Sequence, residues 1–310
     1  FFPSMSANHL HLINPSSISF EVEEVADKYS IVSVSPLVID NDELVTVIFN
    51  STSPSETDWI GAYSPPTVDV STTSPVKWGY CGAPSSSDYL NSGQGQLAFN
   101  LTNLRDGVKF YYFSGNISNP ITVSSSSEIV QFTNINQPLR NRVVATGDPN
   151  VLTLLWSSAN STKPVLKWGL THNSYTYTVA ASTSKVLNSS LCGGVATGFG
   201  WRDLGLIHSA NFEGLMDLDL SGKNLTYIFG DAATDDFSGE FVLRIPPKAG
   251  TQPPGRPTTV ALYADMGVGS SDNSYDTTVW VEQCPPAVNT SYSVGDLALR
   301  GEIDAVFHSG

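Results

Sequence analysis

At 310 residues the chain is long enough for two or three domains, each able to bury its own core, and its 40% apolar and 14% charged content is that of a globular protein low in charge. A formal net charge of −14, from 29 acidic against 15 basic residues, repels phosphate backbones and anionic membrane surfaces and argues against nucleic acid as a partner. No stretch approaches the roughly 18 apolar residues of a membrane span, and the start, FFPSMSANHL, has no basic segment leading into an apolar core, so it does not read as an intact signal peptide.

His9 and His11 stand near the first residue and carry little weight as ligands. From Ile18 to about Phe132 short alternating runs recur (LVTVIFN, GQLAFNLTNL, VKFYYFSG, EIVQF), separated by turn-rich stretches such as NSTSPSETD and APSSSD. This rhythm predicts a β-sandwich over residues 1–135. A second set (VVATGD, LTLLWSS, VLKWGL, SYTYTVAAS, then MDLDLSG, LTYIFGD and GEFVLRI) predicts another sandwich over 136–247, with MDLDLSG read as a strand whose Asp217 and Asp219 form its solvated side. The segment PPKAGTQPPGRP is too rich in Pro and Gly for regular structure and marks a linker at 248–257.

Beyond the linker the pattern changes. TTVALYADMGVG opens with an unbroken apolar or β-branched run, the pattern of a strand buried on both faces in a parallel sheet. A stretch around Thr277 to Gln283 has helical character, Asp296 to Glu302 finishes a helix, and Ile303 to Phe307 reads as a second buried strand, so residues 258–310 predict a βαβ unit. Two buried-type strands with one or two short helices cannot cover both faces of a parallel sheet, and they are expected to need partners: the rest of the protein's own chain or another copy. Asp265 ends the first strand where open α/β sheets place their ligands. A plain turn or cap role is the alternative. Gly267 and Gly269 form a Gly-x-Gly, but Asp272 stands where a dinucleotide fingerprint needs its third glycine.

Acceptor triplets Asn-x-Ser/Thr occur at Asn50, Asn100, Asn116, Asn160, Asn188, Asn224 and Asn289, more than chance supplies, and suggest a secreted glycoprotein carrying N-linked glycans. Cys81, Cys192 and Cys284 allow three possible single disulfides and leave one thiol over; three unpaired cysteines in a cytosolic protein is the competing reading.

TDWIGAYSPP, YCGAPSS, YYFSGNISNP, NQPLRNRVVATGD, LCGGVATGFGWRDLGLIHSA, LTYIFGD, ALYADMGVG and IDAVFHSG resemble, in order and spacing, the landmarks of the large, plant-type purple acid phosphatases. GWRDLGLIH with a later strand ending in Asp-x-Gly is the more specific part; TDWIGAY is shared with other small immunoglobulin-like modules. The resemblance implies a mainly β chain: an immunoglobulin-like sandwich, a fibronectin-III-like domain, and the first βαβ unit of an α/β metallophosphoesterase domain. It also implies hydrolysis of phosphate esters at a binuclear centre of Fe(III) and a divalent ion (Zn, Mn or Fe). Of the family's five ligand blocks only the first lies in this sequence, with Asp265 as the metal ligand, so residues 1–310 alone are expected to be inactive. By the same resemblance His308 precedes a ligand block and is not itself a ligand. Trp201, Arg202 and Asp203, with His208 behind them, read as a structural corner against the neighbouring domain. The expected setting is secreted: extracellular space, cell wall, cell surface or vacuolar lumen. An extracellular structural or adhesive glycoprotein on an inactive phosphatase scaffold is the second reading.

Overall fold

The computed structural model describes residues 28–83, 88–115, 121–193, 197–198, 201–248, 250, 257–264, 266, 271–272, 274–276 and 287–309. The first alternating region forms β1 (Tyr29–Ser35), β2 (Val38–Ile39), β3 (Glu43–Ser51), β4 (Trp59–Tyr63), β5 (Lys77–Tyr80), a single helical turn α1 (Tyr89–Ser92), β6 (Gln94–Leu101), β7 (Val108–Ser114) and β8 (Ile121–Phe132). In β3 the period of two is explicit: Val45, Val47 and Phe49 are buried while Leu44, Ile48 and Asn50 face out. Strands β1, β3 and β6 make one antiparallel sheet. Strands β5, β4, β7, β8 and β2 make the other, with β2 joining β8 in parallel. Between them lies a core built on Val45, Phe49, Ile60, Phe99, Phe110 and Tyr112.

The larger sheet is covered on its second face too. Trp59, Tyr63, Trp78 and Phe113 form a separate aromatic cluster there, with Val68 and Val70 of the following loop packed on it. Trp59 stacks on Phe113 at 4.0 Å and 9°. The rings close over Gly61, where a Cβ would come within 2.9 Å of both Trp59 and Tyr63, so glycine is demanded by the close approach.

The second region forms β9 (Leu139–Ala145), β10 (Leu152–Ser158), β11 (Pro164–Gly169), β12 (Tyr177–Ala180), β13 (Ser182–Ser184), β14 (Leu206–Phe212), β15 (Asn224–Asp231), β16 (Asp236–Phe237) and β17 (Phe241–Arg244). Strands β13, β14, β10 and β9 form one sheet; β12, β11, β15 and β16 form the other, with β17 also on β15. Leu154, Trp156, Trp168, Phe212, Tyr227 and Phe229 fill the space between. MDLDLSG is not a strand: residues 215–219 are turns between β14 and β15. The chain forms a compact loop instead, which buries Leu215 and Leu220 and exposes Leu218, with the Leu220 N–H donating to the Leu215 carbonyl and Asn150 Oδ1 accepting from the Met216 N–H at 2.8 Å.

The third region supplies β18 (Val260–Ala264), β19 (Tyr275–Asp276), α2 (Val288–Leu299) and β20 (Ala305–Ser309). Strands β18 and β20 pair in parallel, from Val260 beside Ala305 to Ala264 beside Ser309. The fold is thus mainly β, two tandem sandwiches followed by a βαβ unit. Helix α2 begins well before Asp296, and the two strands expected to be buried are exposed, Leu262 at 77% and Phe307 at 60%. Their apolar pattern suits covering layers, and nothing among the described residues covers them. The expected helix at Thr277 to Gln283 and the thiol of Cys284 lie outside the described residues. Cys81 is a free thiol buried in the first core; Cys192 is free and exposed.

Candidate functional site

The site predicted from sequence sits at the carboxyl ends of β18 and β20. Ala264 and Ser309 lie abreast there, and Asp265 follows Ala264 in the chain but, with Gly267 and Gly269, lies outside the described residues. At the opposite end of the pair, Asp304 Oδ2 accepts from the Thr259 N–H at 3.0 Å and the Asp304 N–H donates to the Thr259 carbonyl at 2.8 Å, which fixes the register. His308 stands beside Tyr263 in that register and their rings lie 5.0 Å apart, so it packs across the strand pair. Among the described residues no group of three or more His, Cys, Asp or Glu is placed to hold a metal ion. A lone carboxylate at Asp265 is a hard, anionic donor suited to one ligand position of a trivalent ion. It does not by itself amount to a two-metal centre.

Sequence reasoning did not single out what happens next in the chain. After Asp265 the segment returns to the first sandwich: β19 adds to the edge of β5, Tyr275 beside Trp78 and Asp276 beside Lys77. Asp272 is its anchor. Its Oδ2 receives the Lys77 ammonium at 2.7 Å and the Asn100 N–H, and its Oδ1 receives the Ser274 N–H at 3.0 Å and the Ser274 hydroxyl. Burial pushes this carboxyl up, but Lys77, Ser274 and the Asn100 N–H outweigh it and hold it below the usual carboxylate range. Lys77 and Asp272 stand 195 positions apart, and neither carries a local signal of the other.

The sandwiches themselves are joined by polar contacts. Arg105, at positive φ in the turn after β6, donates from Nη1 to the carbonyls of Ile135 (3.2 Å) and Gln137 (2.6 Å) and from Nη2 to the carbonyl and hydroxyl of Ser157, both at 2.9 Å. Burial, helped by Arg140, lowers its pKa to about 10. Asn134 donates to both oxygens of Asp236 at 3.0 Å, and Asn136 Oδ1 accepts from the Asn160 N–H. Of the predicted corner residues, Arg202 reaches across to the Ser74 carbonyl of the first sandwich, and Asp203 pairs with Lys185 at 2.7 Å and accepts from the Gly205 N–H. A cleft of about 490 Å³ lies here, with Arg105, Lys185, Trp201 and Arg202 in its walls. Its cations are committed, Arg105 and Arg202 to carbonyls and Lys185 to Asp203. His208 is fully buried between the Ser158 hydroxyl (2.8 Å) and the Thr183 hydroxyl (2.9 Å); burial lowers its pKa and keeps it neutral, a core histidine.

Of the seven glycan acceptors, Asn50, Asn160, Asn188, Asn224 and Asn289 are exposed, Asn100 is half-buried on β6, and Asn116 lies outside the described residues.

Two β-sandwiches followed by a βαβ unit define the class: a modular, mainly β protein. A family model described as the Fn3-like domain from purple acid phosphatase matches residues 32–134. That match is the first sandwich, whereas the sequence reading gives the fibronectin-like label to 136–247. Both labels describe packed antiparallel sheets, which alternation alone does not tell apart. The chain is 30% identical over 304 residues to a protein of Arabidopsis thaliana named "Probable inactive purple acid phosphatase 27", covering 90% of this chain and 47% of that protein. It is also 30% identical over 303 residues to "Probable inactive purple acid phosphatase 1" of the same plant, with the same coverage. The structure of the purple acid phosphatase PPD1 from yellow lupin (Lupinus luteus) seeds superimposes with a TM-score of 0.78 at 26% identity, over 92% of this chain and 51% of that one. The chain is thus related to the amino-terminal portion of the large plant purple acid phosphatases, and it spans about half the length of the curated relatives it matches.

Proposed function

We propose that this chain is the two-sandwich platform and first βαβ unit of a secreted acid phosphatase, which hydrolyses phosphate esters at a binuclear centre of Fe(III) and a divalent ion (Zn, Mn or Fe). The observation that carries the reading is the parallel pairing of β18 and β20, which sets Ala264 and Ser309 side by side immediately before Asp265 and Gly310 in the chain. Asp265 is assigned as a donor to the ferric ion, where ligand charge matters more than ligand shape. When bound, such a metal pair supplies an activated water and charge stabilisation for the displaced oxygens. Five exposed acceptor asparagines support an extracellular or vacuolar setting with N-linked glycans.

The test is elemental analysis of the native, full-length protein alongside hydrolysis of a chromogenic phosphate ester at mildly acidic pH. Wild type should hold iron and a divalent metal and turn over; Asp265→Asn should stay folded, bind substoichiometric iron and lose activity by orders of magnitude. The names of the Arabidopsis relatives favour the inactive scaffold on which the second reading, an extracellular structural or adhesive glycoprotein, is built. A wild type without metal or hydrolysis establishes that one instead.

A further inference from the structure

We propose that the first sandwich positions the segment that follows Asp265, with edge strand β5 capturing Tyr275 and Asp276 as the added strand β19 and Lys77 and Asp272 acting as the clamp. Capture of an extended segment by a sheet edge supplies main-chain hydrogen bonds without sequence demand, and the side chains beside it set the register. Here the register is set twice. Tyr275 and Asp276 pair with Trp78 and Lys77, and three residues earlier Asp272 is fully engaged, its side chain only 5% exposed.

The partners of Asp272 come from two different sheets. Lys77 belongs to β5 of the larger sheet and Asn100 to β6 of the smaller one, so a single carboxylate ties the two layers together at the sandwich's open side. A buried ion pair adds little net stability, yet removing one partner is strongly unfavourable because the other is left uncompensated. Such a pair specifies one geometry, which is the property a positioning contact needs. Asp272 lies seven residues after Asp265 in the chain. At about 3.3–3.6 Å per residue, a tether of that length spans at most roughly 25 Å. Lys77 and Asp272 are thus positioning residues, acting through the segment they hold. What they position rests on the phosphatase reading; that they position it does not.

The test uses the full-length protein with Lys77→Met, Asp272→Asn and the conservative Lys77→Arg. Hydrogen exchange is followed by mass spectrometry in peptides covering 258–264, 271–276 and, as an internal control, β10 and β14. Lys77→Met and Asp272→Asn should raise exchange at least tenfold in both 258–264 and 271–276 with the control strands unchanged, and Lys77→Arg should restore wild-type protection. In the same two variants iron occupancy should fall at least tenfold at limiting iron, and kcat should drop by more than KM changes. Unaltered protection of 258–264 with loosening confined to 271–276 overturns the proposal, since the clamp is then a local staple; so does a rise that extends into the control strands, which marks general unfolding. If the wild type holds no metal and hydrolyses nothing, the phosphatase reading fails by itself, and the exchange at 258–264 alone decides the clamp.

Discussion

Two carboxylates, one in the first sandwich and one docked on its edge, carry opposite pH dependence. Asp58 is fully buried at the start of β4, where its Oδ2 accepts from the Tyr89 hydroxyl, the Tyr112 hydroxyl at 2.9 Å and the Ser55 N–H at 2.9 Å. Burial lifts its pKa in spite of those donors. The folded state therefore holds the Asp58 proton more tightly than the unfolded chain, whose value is about 3.9, and the associated stability is present below that value and lost as pH rises through the folded pKa. Asp272 is the reverse. Its depressed pKa gives stability that is present above about pH 3.9 and lost as pH falls through the folded value. Urea melts across a pH series should show Asp58→Asn gaining on wild type as pH rises from about 4 to 7, and Asp272→Asn losing most near neutrality with the gap closing in acid. Parallel curves for both variants would contradict these assignments. Thiol and glycan chemistry should follow exposure in the same way. Under native conditions a maleimide should modify Cys192 and leave Cys81 untouched, because burial raises the Cys81 thiol well above its ordinary value and no reagent reaches it. Intact glycopeptides from natively sourced protein should carry sugar at the five exposed acceptors and none at Asn100, whose N–H is bound by Asp272 and whose Oδ1 is buried without a hydrogen-bond partner.

At the scale of one element, β4 explains why TDWIGAY is both legible and constrained. Ile60 and Ala62 enter the main core while Trp59 and Tyr63 enter the aromatic cluster on the other face, so the strand is buried on both sides and reads as continuously apolar. Gly61→Ala should destabilise the protein by about 1–3 kcal/mol, since its added methyl presses on two rings that are themselves packed. Urea denaturation measures the loss, and near-UV circular dichroism should change as Trp59 shifts off Phe113. The strands of both sandwiches and the β18–β20 pair were readable because alternation and continuous apolar runs are local signals. MDLDLSG misled because Met216, Leu218 and Leu220 alternate with Asp217 and Asp219 as in a strand, whereas the loop buries Leu215 and Leu220 and leaves Leu218 exposed. β19 was not readable at all. Its two residues owe their strand geometry to β5, and the charge pair that holds it joins positions with no local pattern in common.

Across the whole molecule, Arg105 makes more hydrogen bonds at the joint between the sandwiches than Asn134, Asn136 or Arg202, which also bridge it. Arg105 places four hydrogen bonds on three residues: Ile135 and Gln137, where the chain passes from the first domain to the second, and Ser157 on β10 of the second. Charged hydrogen bonds of this kind contribute about 1.5–3 kcal/mol each, so truncation to Met should loosen the two domains relative to one another while each core stays intact. Small-angle scattering should show a wider distribution of dimensions for Arg105→Met, with the tryptophan fluorescence of both cores unchanged. Three of the four acceptors are main-chain carbonyls, at Ile135, Gln137 and Ser157. Carbonyls are present whatever side chain a position bears. What Arg105 contributes to the interdomain angle is therefore written on one side of the joint only, and in a saturation-mutagenesis scan position 105 should stand as an intolerant site facing neighbours at 135 and 137 that accept almost any replacement.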